Sequence, residues 1–318
     1  MKKRKLKKKV KRLIILFITI IIISIASIIG INLYKKYQYE QTYEYKLLQI
    51  NYSLDEANII QNKLNDEQIN EILEKDYIPK LTDFIQEKYF MYKNLDRYLS
   101  YYQKNLKVET TKIVSLVNTN RDHEYYEDTK ATDISKDTLM LVNKYNYLTE
   151  DYEPDNLVKV SSTYAYEGNI LRSDVLEIFK TMVDDAKKED IKLILNSSYR
   201  TYKDQDNTWT TRKNMSGIAK ADSYAARAGF SEHQTGLALD INEFQSTEED
   251  FENTQSFKWL NEHAHEYGFI LRYTKDGEEI TGYSYESWHY RYVGVDVATK
   301  IKQENITFDE YYAFYLDN

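Results

Sequence analysis

The sequence predicts an α+β domain carried behind an N-terminal membrane helix. Residues 13–34, LIILFITIIIISIASIIGINLY, form 22 nearly continuous apolar positions without a charge. Downstream, short β-rich runs alternate irregularly with amphipathic helical stretches, and the turn signals between them fit hairpins better than βαβ crossovers. Only two prolines and nine glycines occur among 318 residues, with 42% apolar content, so the chain has the composition of a folded protein with a real core.

The apolar run is long enough to span a hydrocarbon layer of about 30 Å at about 1.5 Å per residue. Nine of the 43 basic residues lie in the first twelve positions, MKKRKLKKKVKR, which hold no acid. Basic flanks face the cytoplasm, so residues 1–12 read as a cytoplasmic tail and 13–34 as a single-pass signal anchor in the cell membrane. A cleaved signal peptide is the competing reading. The run exceeds an ordinary signal h-region, and no A-x-A site closes it. The rest of the chain carries 34 basic against 51 acidic residues, a net charge of -17. Such an acidic body repels phosphate backbones and excludes nucleic acid as the principal partner. With no cysteine, any metal must be held by His and carboxylates.

Residues 35–107 read as a juxtamembrane helical region. Ser53 to Glu56 and Asn65 to Gln68 both have the spacing of a capping box, and Pro79 interrupts the pattern. Residues 108–137 read as a β-rich connector, because Lys112–Asn118 is KIVSLVN; Thr138–Val142 reads as a second such run. Leu157–Ser162 is a candidate strand, and Ser173–Lys188 an amphipathic helix with Leu176, Phe179, Met182, Val183 and Ala186 on one face. A buried strand at Lys192–Leu195 leads into Ser197-Ser198-Tyr199-Arg200. Leu237–Ile241 and Tyr290–Val293 are strands, Ser256–Tyr267 is a helix stopped by Gly268, and Phe269–Tyr273 with Ile280–Tyr283 suggests a hairpin about Asp276-Gly277. A capped helix starting near Thr307 closes the chain.

Only five histidines exist. His233 lies in a loop before the strand that carries Asp240, with Gly236 free to turn the backbone between them. His289 ends Glu286-Ser287-Trp288-His289, ahead of another strand. Two imidazoles and a carboxylate are a ligand set for catalytic zinc, which keeps a fourth position open. Glu286, three residues before a candidate ligand, is placed to take a proton from water beside the metal. Arg200, at the end of a buried strand, can bind an oxyanion or a substrate carboxylate. His263 and His265 lie two apart on a helix, and His123 in an acidic loop; surface positions suit all three.

The order S-x-Y-R, then S-x-H-x-x-G-x-A-x-D, then E-x-W-H resembles the VanY-type D-alanyl-D-alanine carboxypeptidases. These belong to the zinc peptidases that share a fold with lysostaphin-type enzymes and the hedgehog signalling domain. The resemblance spans roughly Thr138 to Val293 and implies a zinc peptidase domain over residues 138–318, with an antiparallel sheet and flanking helices. It implies that His233, Asp240 and His289 hold zinc and that Glu286 is the general base. Arg200 matches the arginine that contacts substrate or the tetrahedral intermediate. Gln205 and Ser231 match substrate-pocket positions, and Trp288 is a candidate pocket wall. Ser287 and the Ala228-Gly229-Phe230 step depart from the common pattern without touching a ligand or the base. The implied substrate is a peptidoglycan stem peptide ending in D-Ala-D-Ala, outside the membrane. A crossbridge endopeptidase, a D-Ala-D-Ala dipeptidase and a non-catalytic zinc-containing wall-binding module remain open alternatives.

Overall fold

The N-terminal apolar run forms a helix in the computed structural model, which describes residues 2–243 and 250–317 of the chain. Met1 and the side chains of residues 2–6, part of the basic tail, lie outside the described residues. Helix α1 (Lys2–Glu40) is continuous, and from Lys7 onward it is long and apolar enough to cross a membrane. Two compact units divide the chain, Met1–Lys93 and Asn94–Asn318. In the first, α1 is followed by α2 (Tyr43–Gln49), α3 (Leu54–Lys63), α4 (Asp66–Leu73) and α5 (Leu81–Gln86). Both expected capping boxes form: Ser53 with Glu56 starts α3, and Asn65 with Gln68 starts α4. Each satisfies two backbone N–H groups that a helix start otherwise leaves unpaired.

The second unit begins with α6 (Leu95–Lys104) and α7 (Thr110–Asn118), and here the reading of residues 108–137 as β-rich is corrected. Lys112–Asn118 is helical, with Ile113, Val114, Leu116 and Val117 buried. The only strand within 108–137 among the described residues is β1 (Lys130–Ala131), two residues paired in parallel with β2 (Asn146–Tyr147). Thr138–Val142 is no strand either; a 3-10 segment runs over Ile134–Leu139 and an irregular stretch follows. Burial of the i, i+3, i+4 positions of α7 outweighs the β propensity of its branched residues.

A small antiparallel pair, β3 (Leu157–Lys159) and β4 (Ile170–Arg172), precedes α8 (Ser173–Lys188), whose expected apolar face is buried throughout. The central sheet has β5 (Leu193–Ser197), β6 (Ala238–Glu243), β7 (Phe269–Leu271) and β8 (His289–Tyr292) in the order β5-β6-β8-β7, all antiparallel. Alternation along the strands sorts their side chains. Leu193, Leu195, Leu237, Leu239, Ile241 and Tyr290 join α8 and α11 (Gln255–His263) in the main core. Asp240, Asn242, His289 and Arg291 take the alternating positions and so face the other side. Between β5 and β6 lie α9 (Tyr202–Ser216) and α10 (Ile218–Tyr224). The expected hairpin at residues 269–283 does not form. Strand β7 pairs with β8, and Asp276-Gly277 lies in a 3-10 turn before α12 (Glu278–Thr281). Helices α13 (Val295–Glu304) and α14 (Phe308–Tyr315) close the unit, the latter with a capping box from Thr307 and Glu310.

Gly268 stops the segment after α11 at φ 82°, and a Cβ there would lie 2.8 Å from the backbone carbon of Gly294. Gly268→Ala is therefore strained both in its dihedral and against a neighbouring backbone that cannot swing aside. A loss of more than about 1 kcal/mol is expected, or a drop of about 2–4 °C or more in unfolding midpoint for a unit of this size. The three tryptophans, Trp209, Trp259 and Trp288, all lie in this unit, so their fluorescence reads its unfolding. An unchanged midpoint would refute the close approach.

Candidate metal centre and active site

The register of the sheet brings the two motifs together. Asp240 on β6 is directly opposite His289 on β8, so their side chains leave the same face as cross-strand neighbours. A bulge between Leu195 and Ser197 puts Ser197 opposite Asp240 on the other side. His233 comes from the 3-10 turn Glu232–Thr235 just before β6. Gly236 ends that turn at φ 68°, with Arg172 and Leu157 side-chain carbons 3.1 Å from where a Cβ would stand. The left-handed turn favours glycine, and the close side chains leave little room for a Cβ.

His233, Asp240 and His289 are all buried, and each offers one ligand atom within 4.8 Å of the others. His233 Nε2 lies 3.4 Å from Asp240 Oδ2, and His289 Nδ1 lies 3.1 Å from Asp240 Oδ1. Ligand atoms on tetrahedral zinc, at about 2.0–2.2 Å from the ion, sit about 3.4 Å apart. The chemistry of the donors fits as well. His233 Nδ1 lies 2.6 Å from the Ser198 carbonyl oxygen, which only accepts, so Nδ1 carries the proton and the Nε2 lone pair faces inward. Asp240 pairs with no Lys or Arg among the described residues. Burial alone would raise its pKa, yet His233 and His289 hold it well below the usual carboxylate range. Burial depresses His233. The same burial is overcome at His289, whose pKa the neighbouring carboxylates of Asp240 and Glu232 push up to about 9. A divalent metal fits these residues.

These three residues line a cleft of about 500 Å³ together with Arg200, Gln205, Ser231, Glu286 and Trp288. All eight site residues singled out in the sequence therefore converge on one cavity. Glu286 is buried, with its Oε2 3.7 Å from His289 Nδ1, and its backbone N–H donates to the Tyr273 carbonyl. Arg200 donates to Gln205 Oε1 at 2.7 Å and to Ser197 Oγ at 3.0 Å, both neutral acceptors. Its guanidinium has no carboxylate within ion-pair distance among the described residues, which leaves its charge for an anionic group in the cleft. Gln205 donates its amide to the Ala226 carbonyl at 2.7 Å, so both ends of that amide are engaged in holding Arg200 in place. Ser231 is buried at the wall, and Trp288 also packs against the main core. His123, His263 and His265 do not line this cleft.

The sequence reading missed Glu232. This fully buried carboxylate sits between the cleft and a pair of buried arginines, Arg272 and Arg291. Burial would raise its pKa, but the two guanidiniums hold it well below the usual carboxylate range. An arginine at a strand position in each of FILRY and HYRY was the available signal, because a buried guanidinium requires a buried acid.

The family model described as VanY, D-alanyl-D-alanine carboxypeptidase, matches residues 168–295. The chain is 38% identical over 205 residues to the provisionally assigned carboxypeptidase YodJ of Bacillus subtilis, covering 60% of this chain and 75% of the relative. It is 34% identical over 183 residues to the bifunctional D-Ala-D-Ala dipeptidase and carboxypeptidase VanXYC of Enterococcus gallinarum, covering 56% and 94%. Among solved structures, the LdcB LD-carboxypeptidase superposes with a TM-score of 0.55 at 37% identity, over 59% of this chain and 91% of that one. Sequence identity over most of these relatives' length and the shared fold agree with the motif order found in the cleft. The chain belongs to the VanY family of D-alanyl-D-alanine carboxypeptidases.

Proposed function

We propose that this protein is a zinc-dependent D,D-carboxypeptidase that removes the terminal D-alanine of peptidoglycan stem peptides. The observation that carries this reading is the meeting of His233, Asp240 and His289 beside the Glu286 carboxylate, in a cleft that also holds the uncompensated Arg200. His233 Nε2, an Asp240 oxygen and His289 Nδ1 would hold zinc, which would supply Lewis acidity to polarise a carbonyl and lower the pKa of water toward about 7. Glu286 takes the proton of the attacking water on its carboxylate and passes it to the nitrogen of the leaving D-alanine. Arg200, held by Gln205 and Ser197, binds the terminal carboxylate of the substrate and sets the scissile bond against the centre. Ser231 and Trp288 form walls of the pocket. Helix α1 acts as an uncleaved anchor through residues 13–34, with the tail 1–12 in the cytoplasm and the peptidase domain outside, where its polymeric substrate lies.

A second reading has a specific basis. The likeness to the LdcB LD-carboxypeptidase favours a tetrapeptide substrate, in which the bond to the last D-alanine follows an L-centre. The deciding experiment incubates the full-length chain in detergent with zinc and either a pentapeptide ending in D-Ala-D-Ala or the corresponding tetrapeptide, with products followed by mass. Loss of one alanine from the pentapeptide, abolished by a chelator and restored by zinc, is the expected result. Cleavage of the tetrapeptide alone would transfer the assignment to L,D-activity. Cleavage only of crosslinked muropeptides would make the enzyme an endopeptidase, and of free D-Ala-D-Ala alone a dipeptidase. Zinc binding without any cleavage would support a wall-binding module instead.

A further inference from the structure

Two buried polar atoms beside the centre face each other without hydrogen bonds: Glu232 Oε2 and His289 Nε2. They lie 3.6 Å apart. The other carboxylate oxygen of Glu232, Oε1, is fully engaged, accepting from Arg272 Nε at 2.8 Å and from Arg291 Nη1 at 2.9 Å. Both arginines are themselves fixed. Arg272 Nη1 donates to Asp309 Oδ2 at 2.6 Å, and Arg291 Nη2 donates to the carbonyls of Thr138 and Met140. A purely structural ion-pair cluster accounts for Oε1. It leaves unexplained why the second oxygen is aimed, unpaired and fully buried, at the outer nitrogen of a histidine on the neighbouring strand.

We propose that Glu232 is the positioning residue for His289: a side-chain movement of roughly a few tenths of an ångström across the 3.6 Å gap lets its Oε2 accept the Nε2 proton, which commits Nδ1 of that ring to the metal. This rests on the reading of His289 as a zinc ligand. A neutral imidazole has one lone pair, and the partner that holds its proton decides which nitrogen is free. At His233 the Ser198 carbonyl holds the proton on Nδ1 and turns Nε2 inward. At His289 the nitrogen facing Asp240 is Nδ1, so the proton must be held on the opposite side, where Glu232 stands. The two histidines thus present opposite nitrogens, each selected by its own outer acceptor. A carboxylate acceptor also makes the ring more electron-rich than a carbonyl does, and outer partners of this kind raise metal affinity about 10- to 100-fold. Arg272 and Arg291 keep Glu232 ionised and immobile, which joins the centre to α14 and to the segment at residues 138–140 through one carboxylate.

The test uses the full-length chain in detergent with 15N-labelled histidine, which gives only five imidazoles to assign. On loading with zinc, His289 should show a protonated, exchange-protected Nε2 hydrogen-bonded to a carboxylate, and His233 a protonated Nδ1. In Glu232→Asp, whose shorter side chain cannot keep both arginines and still reach the ring, zinc affinity by chelator competition should fall about 10- to 100-fold. The tryptophan unfolding midpoint of the metal-free variant separates this from a loss of folding, and Glu232→Gln should lose the His289 proton signal. If a variant fails to fold, the tautomer in the unmodified chain still decides. An unprotonated His289 Nε2 in the zinc form, or unchanged zinc affinity in folded Glu232→Asp, overturns the proposal while leaving the ligand set standing. Failure of the unmodified chain to bind zinc overturns the ligand reading itself, and this inference with it.

Discussion

Glu286→Ala is expected to retain a full equivalent of zinc and to lose about 10²- to 10⁴-fold in kcat. The side chain is buried in the cleft wall with its carboxylate 3.7 Å from His289 Nδ1, near the ligands but outside the set whose donor atoms lie within 4.8 Å of one another. Its backbone is pinned by the Tyr273 carbonyl, so truncating the side chain should leave the strand and its histidine in place. Removing a group that acts on a proton only as the bond breaks lowers kcat and kcat/KM together, whereas loss of ground-state binding raises KM. Glu286→Gln should behave almost as Glu286→Ala does, because the amide keeps the size of the carboxylate but accepts no proton. Measuring zinc content and steady-state kinetics on the same preparations makes the outcome decisive. Retained turnover in either variant removes Glu286 from the mechanism, and lost zinc would instead make it a ligand.

The site was legible in the sequence because its chemistry is compressed into short motifs. His233, Gly236 and Asp240 lie within eight residues, and Glu286 and His289 within four, so loop, turn and strand could be placed by local rules alone. Asp240 was placed on an apolar strand run and His289 just ahead of a second strand, which in fact begins at His289, and sheet register then set those two residues opposite each other. What failed depended on partners distant in the chain. Residues Lys112–Asn118 carry branched side chains that suit a strand, but Ile113, Leu116 and Val117 also have helical spacing, and burial selected it. The hairpin at 269–283 was plausible locally, yet β7 found a better partner in β8, which supplies the centre of the sheet. Glu232 was missed because the arginines that signal it are 40 and 59 residues away.

That same cluster is where a single substitution should destabilise the peptidase unit most. Glu232, Arg272, Arg291 and Asp309 form three ion pairs among side chains at most 3% exposed, so their desolvation is offset chiefly by each other. Replacing one member by an apolar residue leaves at least one buried charge without a counter-charge it now has, at a cost of about 3–5 kcal/mol. Arg272→Met is the severest choice, because Arg272 bridges both acids, while Asp309 keeps only the amide of Asn143 at 2.7 Å. The tryptophan unfolding midpoint should fall steeply, and Asp309→Asn in the same chain should recover part of the loss, since the second change removes the stranded charge. Acid sensitivity follows from Glu232, whose pKa in the folded protein is held down by the two arginines against burial. A depressed carboxylate stabilises the fold above its ordinary pKa, and that contribution is lost as pH falls toward the lowered value. Without Arg272 the depression shrinks, so Arg272→Met should unfold at a higher pH than the unmodified chain when acid is added. An Arg272→Met protein with the original midpoint and acid limit would mean that this cluster is solvated, and that neither Glu232 nor the histidine beside it depends on the arginines.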